Sequence, residues 1–151
     1  MEARMKNPAM LVPEAMNALH AMNKALEGCG VPKRTLELVH LRVSQINGCG
    51  VCLDGHRKIA KKEGETDERL FTVAAWRDTP YFTPPERAAL ALAEELTRIA
   101  DRSEGVSDAA WDEAKRHYDE RALAGLLLGI AQINVWNRLN VATRQVAGAA
   151  W

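Results

Sequence analysis

The sequence predicts an all-α protein folded as one domain, residues 1–151, that assembles into an oligomer. Three observations carry this. Apolar residues recur at helical spacing in segments opened by proline, serine, threonine or aspartate, several of them closed by glycine. No stretch alternates apolar and polar residues with period two, so no sheet is expected. The last predicted helix is apolar on more than one side, as a helix buried in a core or at a subunit contact is.

Residues 1–12 read as an arm whose Met5, Met10, Leu11 and Val12 could lie on a neighbour. Pro13 suits a first helical turn, and Met16, Leu19, Met22 and Leu26 follow at helical spacing until Gly28 and Gly30. Cys29 in that turn has no paired cysteine or histidine near it and reads as incidental; His20 reads as structural or solvated. Pro32 starts a helix that Gly48 breaks, and the next helix ends near Gly64. Thr66 opens a segment carrying Leu70, Phe71, Val73, Ala74 and Trp76, interrupted at Asp78-Thr79-Pro80. Thr83-Pro84-Pro85-Glu86 is a capping box, and the helix behind it puts Ala89, Leu92, Leu96 and Ile99 on one face. Ser107 begins a short helix with Trp111, Ala114 and Tyr118, and His117 reads as surface. Asp119 caps the last helix, expected to run to about Val146, where Gly125 and Gly129 permit close approach of another backbone. The tail Ala147–Trp151 is expected to fray or to pack on a neighbour.

Composition narrows the function. Lys+Arg and Asp+Glu balance at 20 each, which gives no electrostatic case for nucleic acid or an anionic membrane. No apolar run reaches the roughly 18 residues of a membrane span, and the N-terminus shows no signal-peptide core. Three cysteines, two of them in Cys-x-x-Cys, fit a reducing cytoplasm better than a secreted disulfide scaffold.

The chemistry concentrates in Glu37–His56, ELVHLRVSQINGCGVCLDGH. A break at Gly48 puts Cys49 near a helix N-cap and Cys52 in the first turn. Unpaired N–H groups and the positive end of the helix dipole favour a thiolate there. Cys52 and His56 are i and i+4 and share a face, so the histidine can take or return the thiol proton. Glu37 lies on the preceding helix, which a tight turn could fold back toward the sulfurs. At about 100° per residue, Glu37, His40, Ser44 and Asn47 form one polar stripe. Leu36, Val39, Val43 and Ile46 flank it on one side, Leu38 and Leu41 on the other. Such a stripe either lines a cleft or faces solvent. Asn134, Asn137, Arg138 and Asn140, late in the last helix, could bond to the motif turn or sit at a rim. Three readings of Cys49, Cys52 and His56 compete: thiol redox chemistry, a zinc site completed by Glu37, or burial of small residues.

Glutamate, eleven residues, Cys-x-x-Cys, three residues, histidine resembles the core motif of the AhpD-like alkylhydroperoxidases of the carboxymuconolactone decarboxylase superfamily. Glu37, Cys49, Cys52 and His56 match it in register, within a stretch of about residues 20–80. The resemblance implies a helical bundle, commonly trimeric or hexameric. It implies a thiol-dependent peroxidase or disulfide reductase with Glu37, Cys49, Cys52 and His56 as catalytic residues, needing neither cofactor nor metal. Its partners would be a hydroperoxide or disulfide substrate and a thiol or dithiol reductant. AhpD itself has a histidine directly before the second cysteine, where this chain has Val51. A redox-responsive or scaffolding oligomer without turnover is therefore the alternative. Cys-x-x-Cys at a helix start often attacks through its first cysteine; the family's histidine placement favours the second. On the second, Glu37 and His56 deprotonate Cys52, its thiolate attacks peroxide or disulfide, and Cys49 resolves the product into the Cys49–Cys52 disulfide.

Overall fold

A computed structural model describes residues 1–148, and the described residues form helices and turns with no strand. In chain order the helices are α1 (Pro8–Leu11), α2 (Pro13–Leu26), α3 (Lys33–Asn47), α4 (Gly50–Lys62), α5 (Asp67–Thr72), α6 (Pro84–Thr97), α7 (Asp108–His117) and α8 (Glu120–Ala142). Tight 3₁₀ turns follow α5 at Val73–Asp78 and α6 at Ile99–Asp101. Polar residues cap several starts as the sequence predicts. The Ala110 N–H donates to Ser107 Oγ, and the Ala122 N–H to Asp119 Oδ1. In the expected capping box, the Thr83 N–H donates to Glu86 Oε2 at 2.8 Å.

Helix α3 is the central post, packed on α4, α6 and α8. Its two apolar flanks enter two different cores. Leu36, Val39 and Val43 join Leu92, Leu126 and Ile130 of α6 and α8. Leu38 and Leu41 join Ala60, Val73, Trp76, Phe82 and Leu90. With both flanks buried, α3 cannot rotate about its axis without exposing one of them. The polar stripe between them is thereby fixed toward the interior, and Glu37, His40 and Ser44 are all buried.

Two helices stop earlier than their periodicity suggests. Helix α6 ends at Thr97 because the Arg98 N–H is shared between the carbonyls of Glu94 and Glu95, which tightens the last turn. Ile99, expected on the buried face, is consequently half exposed. Helix α8 ends at Ala142 rather than near Val146. The Gln145 N–H reaches back to the Asn140 carbonyl and the Arg144 N–H to Val141, with Arg144 in the left-handed region at φ 54°. Glycine is the usual residue at that position, so the sequence carries no stop signal. The turn hands the chain to the N-terminal arm: the Arg4 N–H donates to the Thr143 carbonyl, and Gln145 Nε2 to that of Met5. The expected arm is thus pinned, with a helical turn at Pro8–Leu11. Of the tail, residues 149–151 lie outside the described residues. No helix among the described residues is long and apolar enough to cross a membrane.

The close approach expected at Gly125 and Gly129 is made to neighbouring side chains. A Cβ on Gly125 would stand 2.5 Å from Cys29 Cβ, and one on Gly129 would stand 3.3 Å from Leu36 Cδ2. Cys29 is unpaired, with its thiol directed at the Ala25 carbonyl, in keeping with a packing role.

Across the second core, Glu94 accepts from Arg42 Nε at 2.6 Å, Arg77 Nη1 at 2.5 Å and Trp76 Nε1 at 3.1 Å. Burial alone would push its carboxyl up; the three donors outweigh it and hold the group below its ordinary 4.5. A carboxyl depressed on folding stabilises the protein above the unfolded pKa, and that contribution is lost as pH falls through the folded one. Glu94→Gln is expected to cost about 1.5–3 kcal/mol at neutral pH, read by denaturant unfolding. The gap from wild type should close progressively below about pH 4.5.

Candidate active site

The site begins at Gly48, the left-handed C-cap of α3 at φ 68°. The Cys49 N–H returns to the Ser44 carbonyl at 3.0 Å, so the chain reverses within one residue and α4 starts at Gly50. Cys49 is the N-cap of α4, and Cys52 sits in its first turn, as predicted. Their sulfurs are joined in a disulfide with the Cα atoms 5.3 Å apart, and both residues are fully buried.

The same reversal lays α4 along α3 and brings His56 to Glu37. His56 Nδ1 stands 2.8 Å from Glu37 Oε2, a hydrogen bond. His40 Nδ1 is 3.8 Å from Glu37 Oε1, an electrostatic contact beyond hydrogen-bond length. The His40 and His56 rings lie 4.7 Å apart between centroids, tilted by 56°. Burial works to raise the Glu37 carboxyl, but the two imidazoles overcome it and hold the group at about 2. Burial lowers His40, with the Glu37 carboxylate opposing it. Glu37 is therefore an anion at neutral pH, accepting from the His56 Nδ1–H. That bond makes His56 Nδ1 the donor to the carboxylate and orients the ring.

Helix α8 closes the back of the site with a ladder of asparagines. Asn47 Nδ2 donates to Asn134 Oδ1 and Asn137 Oδ1, both at 2.9 Å. Asn137 Nδ2 donates to Ser44 Oγ, and Asn140 Nδ2 points at Cys52 Sγ at 3.4 Å. Of the four late polar residues, three bond to the motif helices, whereas Arg138 remains at the rim, donating to Asn134. Asn7 of the arm donates to Asn140 Oδ1 at 2.6 Å and fixes which way that amide faces.

In front of these residues opens a cleft of about 820 Å³ between α2, α3, α4 and α8. Leu19, Leu26, Leu36, Ile59 and Trp136 contribute apolar walls. Glu37, His40, Cys52 and His56 line it as well, whereas Cys49 does not. Of the polar stripe, Glu37 and His40 line the cleft, whereas Ser44 and Asn47 bond to the amides of α8. His20 lies exposed at the cleft, and His117 bonds Glu113 within its own turn.

All four residues singled out from the sequence are thus together: Glu37 bonded to His56, Cys49 to Cys52, and three of them on one cleft. His40 belongs to the same cluster. Its signal was its place three residues after Glu37 on the stripe. Asn140 and Asn7 are further neighbours, joined to the site only by tertiary contacts.

A disulfide at the start of an α-helix beside a glutamate–histidine pair, in an all-α bundle, agrees with the AhpD-like resemblance of the motif. The chain belongs to the carboxymuconolactone decarboxylase family, whose model matches residues 13–95. An uncharacterized protein, YdfG of Bacillus subtilis, is 39% identical over 132 residues, 87% of this chain and 88% of that one. An alkyl hydroperoxide reductase AhpD of Streptomyces coelicolor is 42% identical over 65 residues, 41% of this chain and 36% of its own length. Among solved structures, a protein of unknown function from Agrobacterium tumefaciens, described as a candidate AhpD antioxidant defence protein, superposes with a TM-score of 0.89. It is 31% identical and covers 99% of this chain and 100% of its own.

A Cβ added at Gly48 would meet no other atom within 4 Å, so replacing this residue tests the backbone alone. Gly48→Ala is expected to cost about 1–2 kcal/mol in thermal or chemical unfolding, the penalty of a left-handed L-residue. Gly48→Asn should cost clearly less, because asparagine tolerates that region.

Proposed function

We propose that the protein is a thiol-dependent peroxidase or disulfide reductase acting through Cys52 and Cys49. The observation that carries this reading is the shared cleft: Cys52, Glu37 and His56 line it, and Cys49 stands behind. In the dithiol form, His56 takes the Cys52 thiol proton while Glu37 steadies the resulting imidazolium. The Cys52 thiolate attacks one oxygen of a hydroperoxide, the O–O bond breaks, and the alkoxide leaves with the proton from His56. Cys52 is now a sulfenic acid. The Cys49 sulfur attacks it, water leaves, and the Cys49–Cys52 disulfide forms. Two thiols and a hydroperoxide thus become a disulfide, an alcohol and water. A dithiol reductant returns the pair to thiols. A partner disulfide would be reduced by the same thiolate, with a mixed disulfide in place of the sulfenic acid. The cleft's volume and apolar walls suit an organic hydroperoxide or small disulfide better than hydrogen peroxide alone.

Hydroperoxide consumption driven by a dithiol reductant is expected in the wild type and should fall to background in Cys52→Ser. Glu37→Gln should reduce turnover by about 10²–10⁴-fold while leaving the protein folded. Reversible disulfide formation without turnover in the wild type would instead support the redox-responsive reading, which Val51 permits.

We also infer a homo-oligomer, a trimer or hexamer. Leu128 and Val135 lie one heptad apart on α8 and are exposed, as are Met10, Leu11 and Val12 of the arm and the turn into α2. Light scattering should return a multiple of the 16.7 kDa chain, and Leu128→Glu with Val135→Glu should lower it. A monomer at micromolar concentration overturns this inference.

A further inference from the structure

We propose that Glu37, His40 and His56 form a binding site for a divalent transition-metal cation of the zinc type, with the sulfurs taking no part. Binding stands apart from the thiol chemistry; only its consequence for turnover rests on the function proposed above.

The first support is the spacing. Glu37 and His40 are i and i+3 on α3, so they project from one face, and α4 brings His56 over them. Glu-x-x-His on one helix, completed from another, is a recurring way for helical bundles to hold a metal. The second is distance. Ligand atoms each 2.0–2.2 Å from one ion stand about 2.8–3.6 Å apart at tetrahedral or octahedral angles. His56 Nδ1 and Glu37 Oε2 are 2.8 Å apart, and His40 Nδ1 and Glu37 Oε1 3.8 Å. One ligand atom from each residue falls within 4.8 Å of the other two. A small swing of the His40 ring closes the set.

The third support is independent of the cluster's composition. His40 is 6% exposed, and neither of its ring nitrogens has a hydrogen-bond partner. A neutral imidazole carries one donor and one acceptor, and burying both unanswered is costly. Its Nδ1 faces the Glu37 carboxylate without reaching it, leaving a gap that a cation bonded to both would span. The donor set, two imidazoles and a carboxylate, is that of three-ligand zinc sites with a fourth position left to water. The charges agree: the anionic Glu37 is the formal charge within the triad, so a dication is partly neutralised there.

A cation at this point would take the Glu37 oxygens and His56 Nδ1, replacing the bond by which Glu37 steadies the imidazolium during proton transfer. Metal occupancy and thiol turnover then exclude one another, and the ion acts as an off-switch.

The test uses the full chain, stripped of metal and held in the disulfide form so that thiolates cannot compete. Equilibrium dialysis against Zn²⁺ should give one ion per chain. His40→Ala and His56→Ala should each weaken binding by more than about 100-fold, beyond the loss typical of residues that only orient a ligand. The Cys49→Ser/Cys52→Ser double variant should bind as the wild type does. Should the histidine variants fold poorly, the Co²⁺ form of the wild type decides. Visible d–d bands without an intense near-ultraviolet thiolate band are expected, in the disulfide form and in the double-serine variant alike. No binding at micromolar metal, binding that survives His40→Ala, or binding lost with the cysteines overturns the proposal. Peroxide turnover is assayed separately: turnover without zinc binding removes only the metal site, and zinc binding without turnover removes only the peroxidase reading.

Discussion

A carboxylate buried in a helical bundle has to be answered, and in this chain that demand falls on Glu37. Its partner is His56, nineteen residues on and in a different helix. The pair can meet only if α4 folds back along α3, and Gly48 is what permits the reversal. The same reversal sets Cys49 and Cys52 at the opening turn of α4. One hydrogen bond across the hairpin and one left-handed residue therefore determine where the sulfurs lie. The remaining helices hold this hairpin in place: α8 backs it with amides, and α6 supports it through both cores.

Much of this was legible in the sequence because it depends on local rules. Proline at a first turn, a polar N-cap and glycine after a helix act within four or five residues, and the chain obeys them at Pro13, Ser107, Asp119 and Gly48. The stripe on α3 was readable because its flanks differ in position, and each flank found a separate core. What escaped depends on distance along the chain or on an unexpected residue. Arg144 ends α8 in a conformation that sequence rules reserve for glycine. Ile99 keeps the helical period after the helix has stopped. The contact of Asn7 with Asn140 joins residues 133 apart, and no local pattern announces it. His40 was visible as a member of the stripe, yet its membership of the site follows only from the packing of α4.

The site also shows why a motif and a mechanism are different claims. Glu37, Cys49, Cys52 and His56 match a family in register, and the fold brings them together as the match requires. Val51 removes one histidine from the AhpD pattern, while the fold sets another imidazole, that of His40, against His56 from the opposite helix. The number of imidazoles that share the cleft with Cys52 is thus not read correctly from Cys-x-x-Cys alone. It depends on which face of α3 is turned inward, and that is decided by two hydrophobic cores.

The chain from Asn7 through Asn140 to Cys52 has a practical meaning. The buried sulfur is two hydrogen-bonded contacts from a residue near the beginning of the polypeptide. An affinity tag or a trimmed leader that displaced this residue would free the Asn140 amide to turn its oxygen toward the sulfur instead of its nitrogen. The electrostatic environment of the Cys52 sulfur would then change although every motif residue was intact. Preparations differing only in their first few amino acids should not be presumed equivalent in redox behaviour.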